Sequence, residues 1–265
     1  YRNFFSASLR ATICKRNQWS SSQFQSIDWR SFGMAFRTYS KFRQIGLTKM
    51  VHRLWHTGAQ KLLFKLDEGG LCPCCQTCVE TTAHVFQCQA PLVVGYRATK
   101  LQHFDAYLAT QEFSRSLKEN LSAGIHQWTS STAGQASVVS PTRGRVAPLD
   151  QVATQAFNEQ TQLGWDSFLT GQLSIYGRKA LLFGSSTRDE DSIESILRQL
   201  IKKLFALSLS LWDFRNGVLH GETYQMQREK RRASICERVI EAYDCFASSP
   251  NSVLPQDRYL FTRKD

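Results

Sequence analysis

The first quarter of this chain has almost no negative charge: among residues 1 to 66, Asp28 is the single acid, against twelve lysines and arginines. That segment therefore carries the whole +11 net charge of the 265-residue protein, and the remainder is formally neutral. An acidic surface is excluded as its character, and a polyanionic partner or an anionic membrane surface is favoured. Long hydrophobic runs are missing as well. The best candidate, Leu204 to Leu211, is bounded by Lys203 and Asp213 and falls short of the roughly 18 residues that a spanning helix needs. No membrane role is expected. Alternating apolar and polar positions are absent too, which argues against strands.

What remains is enough for a core: 42% of the residues are hydrophobic and 12% aromatic. The sequence opens without Met or a secretory pattern, so we expect a part of a longer chain. Of the eight cysteines, five lie between Cys72 and Cys88 while Cys14, Cys236 and Cys245 are scattered. This is not a secreted disulfide framework, and it suits a reducing, intracellular setting, nucleus or cytoplasm.

Helical spacing recurs nearly throughout. Trp29, Phe32, Phe36 and Tyr39 follow Asp28, a candidate N-cap, and Leu47, Met50, Val51 and Leu54 mark a second helix ending at Thr57-Gly58. Phe113, Leu117, Leu121 and Ile125 repeat every four residues. From Thr129 to Ala147 the chain turns polar and reads as a linker. Beyond it, Leu149 to Phe183 is helical with interruptions at Gly164, Gly171 and Gly177. Asp191 or Ser192 can cap a long helix striped by Ile196, Leu200, Leu204, Leu207 and Leu211. A last helix, Thr223 to Phe246, would turn Ile235, Val239, Tyr243 and Phe246 inward and Arg228, Lys230, Arg231 and Arg232 outward.

The expectation is an all-α protein: basic N-terminal helices, a small Cys-Cys-His-Cys zinc-binding module, then a helical bundle with two long C-terminal helices. Residues 1–128 would hold the basic region and the module (72–88), 129–147 the linker, and 148–265 the bundle.

The strongest chemical signal is Cys72-Pro73-Cys74-Cys75-Gln76-Thr77-Cys78, followed by Glu80, His84 and Cys88. Four thiolate and imidazole ligands within about twenty residues suit a closed, structural Zn²⁺ site. A two-residue gap lets one turn aim two sulfurs at one ion, and His84 and Cys88 are one helical turn apart. Two ligand sets compete: Cys72, Cys75, His84 and Cys88, or Cys75, Cys78, His84 and Cys88. Glu80 is the one acid close by, and the spare cysteines argue for closure over catalysis.

Cys72-Pro-x-Cys75, Glu80-Thr-x-x-His84 and Cys88, preceded by a basic helix with Thr48-Lys49 and His52, resemble the zinc-binding region downstream of the polymerase in non-LTR retrotransposon reverse transcriptases. Trp19, Ile27-Asp28-Trp29 and Gln44 to Lys49 resemble the stretch leading into it. Gly164-Trp165-Asp166-x-Phe168-Leu169-x-Gly171-x-Leu173 and Trp212-x-x-Arg215-Asn216-x-x-x-His220-Gly221 resemble the segments that follow. The proline after Cys72 favours the first ligand set. The resemblance implies a non-catalytic, nucleic-acid-associated region of a retroelement polyprotein, whose RNA-directed DNA polymerase domain would lie upstream. No adjacent Asp-Asp pair, which that polymerase chemistry requires, occurs here.

Arg30, Arg37, Arg43, Lys49 and Arg53, interleaved with Phe24, Trp29, Phe36, Tyr39 and Phe42, are the expected contacts to RNA or DNA through residues 1–66. His52 and His56 lack a third ligand and read as surface or packing residues. Two other functions stay open. Arg215 and His220, an Arg and a His spaced between long helices, resemble the catalytic pattern of HEPN ribonucleases, with His for proton transfer and Arg on the phosphate. A zinc-stabilised interaction scaffold is the other.

Overall fold

The computed structural model describes residues 4–66, 69–131, 148–184 and 189–262, and within them the protein is all-α. The chain runs through α1 (Phe4–Asn17), α2 (Ser21–Gln25), α3 (Trp29–Arg37), α4 (Lys41–Val51), α5 (Gly58–Leu63), α6 (Thr82–Gln87), α7 (Pro91–Thr110) and α8 (Arg115–Ser130). It continues with α9 (Pro148–Leu163), α10 (Trp165–Leu169), α11 (Ile175–Gly184), α12 (Glu190–His220), α13 (Tyr224–Ser248) and α14 (Tyr259–Thr262). No strand forms among the described residues; there are two isolated antiparallel bridges, Ile27 with Ser174 and Leu71 with Val79.

Short polar side chains start most of these helices by accepting an orphan backbone N–H. Asp28 caps α3 through the Ser31 amide, Ser40 caps α4, Ser114 caps α8 and Thr223 caps α13. At α12 the cap is Asp189, which accepts from the Ser192 amide at 3.1 Å and lies two residues before Asp191 and three before Ser192. Two glycines with positive φ, Gly164 (96°) and Gly171 (83°), break α9 from α10 and α10 from α11, where L side chains would be strained. Gly177 lies inside α11 and interrupts nothing.

Two compact units divide the chain, Tyr1–Asp213 and Phe214–Asp265, and the division falls within α12. It does not fall at 129–147. Thr129 and Ser130 complete α8, residues 132–147 lie outside the described residues, and α8 and α9 on either side share one core. In the larger unit that core takes Leu47 and Met50 from α4, Phe86 from α6, and Leu101 and Phe104 from α7. It is completed by Leu117 and Ile125 from α8, Phe168 from α10, and Ile193 to Leu211 from α12. The α12 stripe is wider than its four-residue row. Ile193, Leu197, Ile201, Phe205 and Ser208 are buried beside Leu200, Leu204, Leu207 and Leu211, because this helix is covered on more than one side.

In the smaller unit the packing differs from the pattern's expectation. Alpha13 buries no residue, and Ile235, Val239 and Tyr243 are exposed. Phe246 stacks on Phe261 and Tyr243 meets the same ring edge-on, so these aromatics hold the C-terminal segment and do not face a core. A helical period identifies a face; it does not supply the surface that covers it.

Candidate metal centre

The Cys-rich stretch folds as a tight loop followed by α6. The Cys72 amide donates to the Cys78 carbonyl at 2.8 Å and Gln76 donates to the Cys72 carbonyl at 2.8 Å, closing the turn. Gln76 takes φ 56° at its tip. The Cys74 amide points at the Cys72 sulfur, 3.4 Å away, a hydrogen bond that stabilises a thiolate. On the far side, Thr81 caps α6 through the His84 amide at 3.1 Å and so fixes the turn that carries His84 inward.

These elements bring Cys72, Cys75, His84 and Cys88 together, with their ligand atoms all within 4.8 Å of one another, in a group that can hold a metal ion. Cys72 Sγ lies 3.8 Å from Cys88 Sγ, and Cys75 Sγ lies 3.4 Å from His84 Nε2. Zinc–sulfur bonds of about 2.3 Å at tetrahedral angles put neighbouring sulfurs about 3.8 Å apart, whereas a disulfide needs about 2.05 Å. Cys78 stands outside this group, exposed, with its sulfur against the Thr77 hydroxyl. Beside it Leu71 pairs with Val79, and the Cys78 carbonyl accepts the Cys72 amide that closes the loop.

The electrostatics already separate the four ligands. The Cys72 thiol is pushed down to about 3, chiefly by a hydrogen bond from Cys74 and further by His84, against the opposing effect of burial. Burial pushes Cys75 up, but hydrogen bonds from Thr77, the Cys78 amide and His84 outweigh it and leave it below the usual thiol value. His84 is raised by its hydrogen bond to Cys72, against burial. Cys88 is pushed up to about 12, mainly by burial. Cys74, which donates to Cys72, is raised by that bond and stays a thiol.

Glu80, the one acid in the motif, is fully buried, and its Oε2 accepts the Gly58 amide at 3.0 Å. It supplies the α5 cap that Thr57 does not, and with the Ala59 to Glu80 carbonyl bond it ties α5 to the metal loop. Gly58 is required there, since a Cβ would meet the Gly70 carbonyl oxygen. Sequence reasoning assigned no role to Arg97. This buried residue of α7 donates through Nη1 to the carbonyls of Phe86 and Cys88, both at 2.8 Å. Nothing local marks it, because its partners are backbone atoms of another helix.

The five cations expected to meet nucleic acid divide into two groups. Arg30 pairs with Glu194 at 2.5 Å and Arg53 with Asp166 at 2.5 Å, so both are engaged within the protein. Arg37, Arg43 and Lys49 are exposed on α3 and α4 and form no ion pair among the described residues. Of the aromatics, Phe24, Trp29, Phe32 and Phe36 form a ring ladder, and Phe32 and Tyr39 pack edge-on against Phe205. Phe42 alone of those named stands free, 82% exposed, between Lys41 and Arg43.

His52 is half-buried, lowered by burial and by the nearby Arg16, and neither it nor His56 joins a metal-holding group among the described residues. Arg215 is buried, with Nη1 3.0 Å from Asn216 Oδ1, and His220 is exposed at the last residue of α12.

Fold and site together define a helical protein with a three-cysteine, one-histidine group able to hold a metal, and no described helix is long and apolar enough to cross a membrane. Comparison with protein-family models, with curated proteins and with solved structures finds no match.

Proposed function

We propose that this protein binds nucleic acid through the exposed face of α3 and α4, and that a structural Zn²⁺ on Cys72, Cys75, His84 and Cys88 fastens the neighbouring loop. Zinc is the ion that suits three thiolates and an imidazole at tetrahedral spacing, and calcium and magnesium demand oxygen ligands. The ligands form a closed set, and Glu80, the one carboxylate of the motif, is occupied as a helix cap. Such a site stabilises and does not catalyse.

One observation carries the nucleic-acid reading. Asp28, the single acid of residues 1–66, is buried in α3's cap, accepting from Ser31 and lying 3.6 Å from Arg178. The described surface of this segment therefore exposes no carboxylate of its own, while Arg37, Lys41, Arg43 and Lys49 are exposed and Lys41 and Arg43 flank the exposed Phe42 along the chain. Cations for phosphate and an aromatic for base stacking are the pairing that single strands require. The resemblance to the zinc-binding region of retrotransposon reverse transcriptases supports the same assignment, with the polymerase supplied by another part of the polyprotein.

Binding of labelled RNA and DNA oligonucleotides at increasing salt tests this. Affinity should fall steeply, with a log–log slope near −0.7 per phosphate neutralised on a single strand. The triple change Lys41→Glu, Arg43→Glu, Lys49→Glu should abolish binding. Weak binding indifferent to salt would overturn the proposal.

A further inference from the structure

Among the described residues Arg97 has no carboxylate partner. It is 4% exposed in the middle of α7, it takes part in none of the ion pairs among the described residues, and its Nη1 donates to two neutral carbonyls, Phe86 and Cys88. A buried guanidinium without a counter-charge is strongly unfavourable, so a structure that keeps one supplies negative charge nearby. The segment Arg97 grips is the one that carries His84 and Cys88. Both accepting carbonyls lie at the C-terminal end of α6, where backbone oxygens are left unpaired and helix dipoles favour a cation.

We propose that Arg97 is the positioning residue of the metal centre: it supplies the counter-charge of a metal–thiolate group and locks the chain between His84 and Cys88 against α7. The inference rests on the reading of the Cys72, Cys75, His84, Cys88 group as a metal site. Three thiolates, one neutral imidazole and a divalent ion sum to one negative charge, which a single guanidinium cancels. A monovalent ion in the same ligands leaves a second negative charge uncompensated. The site is therefore matched to a divalent ion, and filling it joins α6 to α7 as one step.

Sequence spacing finds ligands but not such a partner, which lies nine residues beyond the last of them on a different helix. A role confined to capping α6 would make Arg97 matter equally with and without metal. The charge-balancing role makes it matter most when the metal is bound, which is how outer partners of metal ligands usually act.

The test uses the full chain, with Co²⁺ as a spectroscopic probe and Zn²⁺ affinity measured by competition with a chelator. Arg97→Met should weaken Zn²⁺ binding about 10- to 100-fold and alter the cobalt–thiolate absorption, the range typical of such outer partners. Arg97→Lys, which keeps the charge, should recover most of the affinity. The rise in melting temperature on adding metal should shrink in Arg97→Met, while the metal-free forms of wild type and variant should melt closer together. Arg97→Met within twofold of wild type, or Arg97→Lys as weak as Arg97→Met, overturns the proposal. If Arg97→Met does not fold, Arg97→Lys decides: binding within about fivefold of wild type supports the charge role, and a larger loss overturns it. A wild-type chain that takes up no divalent metal overturns the metal reading itself, a result distinct from wild-type uptake that Arg97→Met leaves unchanged.

Discussion

Trp55 stacks on Trp212, with ring centroids 4.5 Å apart and planes 15° from parallel. Trp55 also packs on Phe86 of α6, at 5.9 Å, so one indole joins the segment after α4, the long helix α12 and the helix that bears His84. Helix α6, which carries His84, is thereby held to the core by aromatic packing.

Trp55→Ala should destabilise the larger unit by about 3 to 5 kcal/mol, the cost of emptying a buried aromatic site. A double-mutant cycle with Trp212→Ala, followed by urea denaturation, should return a coupling of about 0.5 to 1.5 kcal/mol for the stacked pair. Strict additivity would mean that the rings merely share a neighbourhood.

Gly124 of α8 lies where a Cβ would enter the Trp165 ring, at 2.0 Å from its nearest atoms. Gly124→Ala should therefore cost about 1 to 3 kcal/mol or more through overpacking. Gly95, on an exposed position of α7 with open space at its Cβ, is the control: Gly95→Ala should stabilise by about 0.5 to 1 kcal/mol. Thermal melts of the two variants should move in opposite directions.

Removal of the metal should loosen the loop between α5 and α7 before the rest of the larger unit, because the site joins Cys72 and Cys75 of the loop to His84 and Cys88 at either end of α6. Hydrogen exchange with and without chelator should show new exposure across residues 70–90. Cys72→Ser should abolish stoichiometric zinc binding and Cys78→Ser should leave it intact; the reverse order would reassign the ligand set.

Metal affinity should rise with pH. Burial holds the Cys88 thiol up near 12, so at neutral pH it is protonated without metal and must release its proton on binding, whereas Cys72, down near 3, is already a thiolate. Competition titrations across the neutral range should give weaker binding on the acid side and proton release at each step. An affinity independent of pH would remove Cys88 from the ligand set.

Charge reversal should sort the cations by partner. Lys41→Glu, Arg43→Glu and Lys49→Glu should lower nucleic-acid affinity and leave the melting temperature nearly unchanged. Arg53→Glu, which sets a second acid against Asp166, should lower the melting temperature. Equal effects of both sets on binding would argue against α4 as the contact face.

Much of the fold was legible because helical periodicity is a local property. Phe113, Leu117, Leu121 and Ile125 are all buried, and Asp28 caps α3 as its position before Trp29 suggests. The expected inward face of α13 failed for the complementary reason: Ile235, Val239 and Tyr243 have the spacing, and nothing in spacing says what lies opposite.

The sequence by itself determined the helical class, the presence of a thiolate–imidazole ligand set, and the confinement of the positive excess to residues 1–66, since each depends on residue type and short spacing. Tertiary structure decided the rest. Choosing Cys72 over Cys78 required the loop closure that sets Cys72 Sγ 3.8 Å from Cys88 Sγ. Withdrawing Arg30 and Arg53 from the basic face required Glu194 and Asp166, more than a hundred residues away along the chain. Arg97 reached the carbonyls of Phe86 and Cys88 only when α7 packed beside α6, because charges and unpaired carbonyls find their partners through space and not along the chain.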